Sequence, residues 1–265
     1  MRIIVISDCH VGHRAAPWPA EFTVPETGHK ICASPEQLVL LEYLEDFFSQ
    51  PEAQDAEMVI NLAESIEGPS PKDEGRDLMT PEVDYQIDAW MQLFGPLIGG
   101  RDYYSVYGSQ YHDTDNLYSE DIIARRLGGT FCGQIADLKI RKHDKILNIA
   151  HSPGNALIYR STQLDRQSLF FDAIEGPYSH NKIDYHIDAI LRGHVHHYDM
   201  VDNESRVVLT APTWKFWHPI RKFQAGKYPR TQPTIGGLVL EVGKSISVKK
   251  FFYPLVKIYD RLIET

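Results

Sequence analysis

Apolar and polar positions along the chain follow two periods, and the switch between them divides it into short strands and longer helices. The run Met1-Arg2-Ile3-Ile4-Val5-Ile6 is rich in β-branched residues and reads as a buried strand. Similar runs read as strands at Met58 to Leu62, Tyr103 to Tyr107, Ile135 to Ile140, Lys145 to Ala150, Arg206 to Thr210, Gly237 to Val242 and Ile246 to Tyr253. Ile187 to Leu191 fits a buried strand or a helix end. Helical spacing places Leu38, Leu41, Leu44 and Phe48 on one face after Ser34-Pro35-Glu36, where serine is the N-cap and proline the first helical residue. A second helix opens at Thr80-Pro81-Glu82 with Val83, Ile87, Trp90, Met91 and Phe94 on one face. A third runs through Ile122, Ile123 and Leu127 to Gly128-Gly129, and a fourth covers Leu157 to Ala173. Residues 14 to 35, rich in proline, read as a long loop, a kind that often carries function. Strand–helix alternation early and strands late predict one layered α/β domain over residues 1–265.

Five apolar runs stop at polar clusters: Asp8/His10, Glu64, Gly108 to Asp113, His151, and Gly193-His194-Val195-His196. On an extended segment, residues two apart point the same way, so Asp8 and His10 can converge on one ion, and His194 and His196 project to one side. Any one cluster alone reads as ordinary strand-end polarity. Together, imidazoles and carboxylates in this number suit Mn, Fe or Zn, and two such ions about 3.5–4 Å apart form a clamp for a phosphoryl group. A carboxylate must then bridge the ions, for which Glu64 is the candidate, and a histidine outside the ligand set can serve the leaving group as an acid.

Composition narrows the class. The 265 residues are 43% hydrophobic and 24% charged, as a globular chain requires. No apolar run reaches the ~20 residues that span a membrane, so the expectation is a cytoplasmic protein without membrane association. Cys9, Cys32 and Cys132 have no framework spacing and read as reduced thiols, with Cys9 a small apolar filler. The net charge of −9 argues against a general nucleic-acid binder. Its distribution is uneven. Glu36 to Asp88 carries fifteen acidic residues against Lys72 and Arg76, whereas no acid stands between Glu204 and Glu241. An asymmetry of this kind marks where an anionic ligand can approach.

The ordered motifs resemble those of the calcineurin-like metallophosphoesterase superfamily. That signature is Asp-x-His, Gly-Asp, Gly-Asn-His-Asp/Glu, a lone His, then Gly-His-x-His. The resemblance runs from Asp8 to His196, and the forms Asp-x-His-x-Gly-His and Gly-Ser-Gln-Tyr-His are similar to a branch found in phage and related microbial proteins. It implies a four-layer sandwich of two mixed β-sheets flanked by helices, with two divalent metal ions at the strand ends. It further implies that Asp8, His10 and His196 hold the first ion, His151 and His194 the second, Glu64 bridges them, and His112 polarises the phosphate or protonates the leaving group.

Two departures stand out. Ala63-Glu64 replaces Gly-Asp, and the longer carboxylate overshoots a bridge unless the backbone retreats. Glu67, also nearby, holds a position that in the family lies behind the ligands. The asparagine is missing, leaving Gln110 or Ser109 to supply its oxygen. His13 reads equally as a phosphate contact or a plain loop residue. Trp214 to Phe223 interleaves aromatic with basic residues, Lys215 and Arg221 among them, and either stacks bases and pairs phosphates or folds onto the core; the acid-free surroundings favour the substrate. The expected function is hydrolysis of a phosphodiester or phosphomonoester, with nucleic acid or nucleotide the favoured substrate. The alternative is a metal-binding or interaction module that has lost catalysis.

Overall fold

In the computed structural model, residues 1–69, 74–112, 118–154, 161–176, 182–216 and 232–255 are described. In chain order the elements are β1 (Arg2–Ile6), β2 (Glu21–Thr23), β3 (Lys30–Cys32), α1 (Pro35–Ser49), α2 (Pro51–Gln54), β4 (Met58–Asn61), α3 (Val83–Ile98), β5 (Asp102–Ser105) and α4 (Ser119–Arg126). They continue with β6 (Thr130–Phe131), β7 (Ile135–Ile140), β8 (Lys145–Ala150), α5 (Ser161–Glu175), β9 (Ala189–Arg192), β10 (Asp199–Asp202), β11 (Val207–Thr210), β12 (Ile235–Val242) and β13 (Ile246–Tyr253). One mixed sheet has the order β13-β12-β1-β4-β5-β6 and the other β10-β11-β9-β8-β7.

The period-2 alternation of β1 explains the layering. Ile3 and Val5, with Met58, Ile60, Leu238 and Leu240, pack against Leu147, Ile149, Leu191 and Leu209 of the second sheet. Ile4 and Ile6 point the other way, into a core shared with Leu40, Leu44 and Phe47 of α1 and Trp90 and Phe94 of α3. On the outer face of the second sheet, Ile190 and Val208 meet Leu164 and Phe171 of α5. Helix, sheet, sheet and helix make the four-layer α/β sandwich. Because β1, β4 and β5 are mutually parallel, as are β8, β9 and β11, each set delivers its C-terminal ends to one edge.

Several element readings shift. The loop 14–35 contains the β2–β3 hairpin and buries Trp18 completely. In α1 the capping box of Ser34 and Gln37 forms as the sequence suggests, but the buried row is Gln37, Leu40, Leu44, Phe47 and Phe48, and Leu38 is exposed. Gln37 takes a core position because its Nε2 donates to the His13 and Ala16 carbonyls, tying the helix to the first loop. β5 ends at Ser105 rather than Tyr107, and β10 carries too little apolar alternation to be read from sequence. Of the fourth helix, residues 157–160 lie outside the described residues and the rest runs to Glu175.

Arg206 fixes α5 to the sheet. Its side chain is fully buried and donates to Asp172 Oδ1 at 2.7 Å and Glu175 Oε1 at 2.8 Å. Arg206→Ala is expected to cost about 2 kcal/mol in urea unfolding, because charged hydrogen bonds to two partners are lost. Burial raises the Glu175 carboxyl, but Arg206 and its other donors outweigh that and leave it below its ordinary value. A depressed carboxylate stabilises the fold above its unfolded value and loses that contribution as pH falls through the folded one. The difference between wild type and Arg206→Ala should therefore narrow as the solution is acidified below the ordinary carboxylate range.

Candidate metal centre

The loops that follow β1, β4 and β9 turn sharply instead of staying extended. Asp8, His10, Ala63, Glu64, His194 and His196 all have positive φ, between 49° and 75°. Only Glu74 and Asp144 join them among the described non-glycine residues. Left-handed backbone costs roughly 1–2 kcal/mol per residue, so its concentration here marks a site whose surroundings impose it. Asp8 and His10 reach one group, and His196 and His194 two different ones, by this route and not by the alternation of an extended strand, which corrects the sequence argument.

Hydrogen bonds hold the turns. Asp8 N donates to the Ala63 carbonyl at 2.9 Å and His10 N to that of Glu64 at 2.8 Å. Thr213 Oγ1 donates to the Asp8 carbonyl at 2.7 Å, Ser7 Oγ to Asp8 Oδ2, and His194 N to Asp8 Oδ2 at 2.9 Å. The β4 loop is anchored by Glu120, a buried carboxylate on α4 that accepts from Ser65 N at 2.8 Å and Ser65 Oγ at 2.9 Å. Sequence reasoning missed Glu120 and Thr213, and no motif marks either.

At the centre lies Glu64. Its Oε2 is 3.1 Å from His10 Nε2, and its Oε1 is 3.0 Å from His151 Nε2 and 3.8 Å from His194 Nδ1. Asp8 Oδ1 is 3.3 Å from His196 Nε2, which is 3.0 Å from His10 Nε2. Three groups of candidate ligand atoms result among the described residues: His10/Glu67/His112, and the two sets Asp8/His10/Glu64/His196 and Glu64/His151/His194, which share Glu64. Within each set the atoms lie within 4.8 Å of one another. The longer side chain has room beside Gly108, where a Cβ would stand 3.2 Å from Glu64 Cγ, and Ala63 and Glu64 both take left-handed backbone.

Hydrogen bonds to Nδ1 settle which imidazole nitrogens are free. A carbonyl only accepts, so His151 Nδ1 donates to the Leu62 carbonyl at 2.6 Å, which turns Nε2 toward Glu64. His10 Nδ1 likewise donates to Glu67 Oε2 at 2.8 Å, the carboxylate–histidine arrangement that orients a metal ligand. Lys215 Nζ donates to the same Glu67 oxygen at 2.7 Å. His112 Nδ1 donates to the Glu67 carbonyl at 2.6 Å, with Nε2 3.7 Å from Glu64 Oε2.

Burial pushes the Glu64 carboxyl up, yet His151, His10 and His194 outweigh it and hold the group well below its ordinary value. Asp8 is lowered in the same way by His196 and His151 against burial, and Glu67 by Lys215 and His10. His151 rises to about 9 because Glu64 and Asp8 overcome its desolvation. His112 and His196 are lowered, chiefly by burial. Asp8 Oδ1 and Glu64 Oε1 are buried acceptors without any hydrogen-bond donor among the described residues. Anionic oxygens left unpaired beside inward-facing imidazole nitrogens are what cations offset, and the oxygen and nitrogen donor set suits Mn, Fe or Zn.

The remaining candidates divide. His13 is buried and its Nδ1 accepts from Ala15 N at 2.9 Å, with its charge acting on Glu67. Gln110 is exposed, whereas Ser109 Oγ is buried and has no hydrogen-bond partner among the described residues. Lys215 is drawn onto Glu67. Arg221, with the rest of the basic stretch from Trp217 on, lies outside the described residues. Cys9 is fully buried, its thiol pushed well up by desolvation, and it joins neither ligand set. His197 Nδ1 donates to the Val195 carbonyl, away from the ligands. The acid-rich stretch is not remote from the centre, because Glu64 and Glu67 belong to it.

Two mixed sheets thus meet face to face, and their strand ends gather the clusters around one carboxylate in the order Asp8/His10, Glu64, His112, His151 and His194/His196. The architecture is a four-layer α/β sandwich with these clusters along one edge. Solved structures similar to this chain include Vps29 from Entamoeba histolytica complexed with zinc, 13% identical, with 95% of this chain and 99% of that one covered at a TM-score of 0.45. An archaeal phosphodiesterase is 14% identical over 96% of this chain and all of its own, with a TM-score of 0.46. A predicted phosphoesterase from Streptococcus pneumoniae is 11% identical over 96% and 92%, with a TM-score of 0.38. No protein-family model matches the sequence, and no curated protein matches it. Among the described residues, no helix is long and apolar enough to cross a membrane.

Proposed function

We propose that the protein is a phosphoesterase that uses two divalent metal ions to hydrolyse a phosphodiester or phosphomonoester, with nucleic acid or nucleotide as the favoured substrate class. The observation that carries this reading is one buried carboxylate, Glu64, shared by two histidine-containing ligand sets. Asp8, His10 and His196 would hold the first ion, His151 and His194 the second, and Glu64 both. Bound there, the ions supply Lewis-acid polarisation of a phosphoryl oxygen and lower the pKa of a coordinated water. The chain's own groups do the rest. Glu67 fixes the His10 ring, the Leu62 carbonyl fixes that of His151, and His112 exchanges a proton with the leaving group at Nε2. Ser109 is the residue placed to stand in for the missing asparagine.

The test is turnover of bis(4-nitrophenyl) phosphate by protein loaded with Mn²⁺, Fe²⁺ or Zn²⁺. Hydrolysis that is lost in His10→Ala is the expected result. No hydrolysis with any of the three metals, or undiminished hydrolysis by His10→Ala, overturns the reading and leaves a binding module on this fold.

Lys215 acts through Glu67 in this account. Lys215→Met removes the cation from a buried carboxylate that orients a ligand, and losing such a partner typically costs 10–100-fold in activity or metal affinity. Steady-state kinetics over a metal titration should show about a tenfold loss, partly restored by excess metal. A change confined to KM at saturating metal would instead mark Lys215 as a substrate contact.

A further inference from the structure

A cavity of about 490 Å³ opens between α5 and the ends of β8 and β9. Ala150 and Ser152, the chain neighbours of His151, line it, as does Arg192, two residues before His194. It therefore lies beside the strand ends that carry the second ligand set, with neither His151 nor His194 in its lining. Among the described residues no acidic side chain lines it, in a chain whose net charge is −9.

Two features suit it to an anionic, hydrogen-bonding ligand. Arg192 is buried, and its guanidinium donates only to neutral oxygens among the described residues: the Asn148 carbonyl, the Leu191 carbonyl and Asn148 Oδ1. The negative charge that acts on it is Asp137, whose Oδ1 already accepts from Asn148 Nδ2. A buried guanidinium without a carboxylate contact is costly, and an oxyanion offsets that cost with two-pronged hydrogen bonds. Arg166 adds an exposed cation. The second feature is a pair of amides. Gln163 is buried with Nε2 unpartnered, and Gln167 Oε1 is also buried and unpartnered while its Nε2 donates to the Pro153 carbonyl at 2.8 Å. One free donor and one free acceptor match the edge of a nucleobase. Phe170 and Ile135, 59% and 57% exposed, give such a base an apolar face to lie on.

We propose that this cavity is a nucleotide subsite: a phosphate of the ligand lies toward Arg192 and Arg166, and its base takes the Gln163 and Gln167 amides against Phe170. The proposal deepens the phosphoesterase reading and rests on it for one point, that the scissile phosphoryl group lies at His151 and His194. It makes the favoured substrate one that carries a nucleotide on the second-ion side of the centre.

Two measurements test it with the metal-loaded protein. Binding of thymidine 5′-monophosphate and of inorganic phosphate is followed by calorimetry for wild type, Gln163→Leu and Arg166→Glu, with circular dichroism as the check on folding. The ratio of kcat/KM for the 4-nitrophenyl ester of thymidine 5′-monophosphate to that for bis(4-nitrophenyl) phosphate is then compared across the same proteins. Expected are nucleotide binding tighter than phosphate binding, a loss of about tenfold in nucleotide affinity in each folded variant, and a similar fall in the ratio. Equal nucleotide affinity in all three proteins, or nucleotide bound no better than phosphate, overturns the proposal while turnover of the bis-aryl ester leaves the phosphoesterase reading intact. Nucleotide binding that weakens in the variants of a protein that hydrolyses neither ester supports the subsite and overturns the phosphoesterase reading.

Discussion

Glu64→Ala is expected to lower kcat/KM for an aryl phosphodiester by about a thousandfold. Glu64 is the only residue common to both ligand sets, so its loss weakens both ion positions together. Lewis-acid assistance is worth several kcal/mol, and about 4 kcal/mol corresponds to that factor. The fold should survive, since Asn61, Ser65 and Glu120 hold the loop by other contacts. Glu64→Asp refines the point. The sequence alone suggested that glutamate is a defect in the bridge. In the structure, Oε1 instead faces His151 and Oε2 faces His10, from left-handed backbone at residues 63 and 64. Shortening the side chain by one carbon–carbon bond, about 1.5 Å, withdraws the carboxylate from one set, so Glu64→Asp should lose about tenfold in kcat/KM. A gain of activity in Glu64→Asp would mean that the longer side chain is a degenerate feature.

Gly193→Ala should be nearly as damaging without touching a ligand. A Cβ at residue 193 would stand 2.1 Å from Ser7 Oγ, 2.9 Å from Asp8 Oδ2 and 3.2 Å from His151 Nδ1. Those atoms belong to or brace both ligand sets, and Gly193 N itself donates to the His151 carbonyl at 2.7 Å. Overpacking of this kind costs about 1–3 kcal/mol in stability. A displacement near 1 Å at a reacting centre costs about a hundredfold in rate. The expected result is a roughly hundredfold fall in kcat/KM, a lowered unfolding midpoint and weaker metal retention. Gly243→Ala is the control, because a Cβ there meets only the Ser245 carbonyl oxygen at 3.9 Å. Equal kinetics for the two alanine variants would contradict the close packing of the Gly193 turn against the centre.

How the site forms was only half legible in the sequence. The candidate ligands drew notice because each ends an apolar run, and parallel strands deliver those ends to one edge. The means of convergence was not, since αL conformations at Asp8, His10, His194 and His196 leave only a weak mark in residue type: aspartate and histidine are enriched there, but most of both adopt other conformations. The layers followed from the alternation of Ile3 and Val5 against Ile4 and Ile6. The row buried by α1 did not, because Gln37 enters the core through hydrogen bonds to the His13 and Ala16 carbonyls, a tertiary event that hydropathy does not encode. Ser109 and Gln110 were equivalent as candidates on paper, and only burial separates them. Glu120 stayed hidden because an acid in the first turn of a helix reads as an ordinary dipole partner.

The central claim is that one carboxylate joins two metal positions. Its most direct measurement is calorimetric titration of metal-free protein with Mn²⁺, for wild type and Glu64→Ala. The account predicts two ions per chain in the wild type and a loss of affinity at both positions in the variant. A single ion in the wild type, or two ions bound by Glu64→Ala as tightly as by wild type, would contradict it.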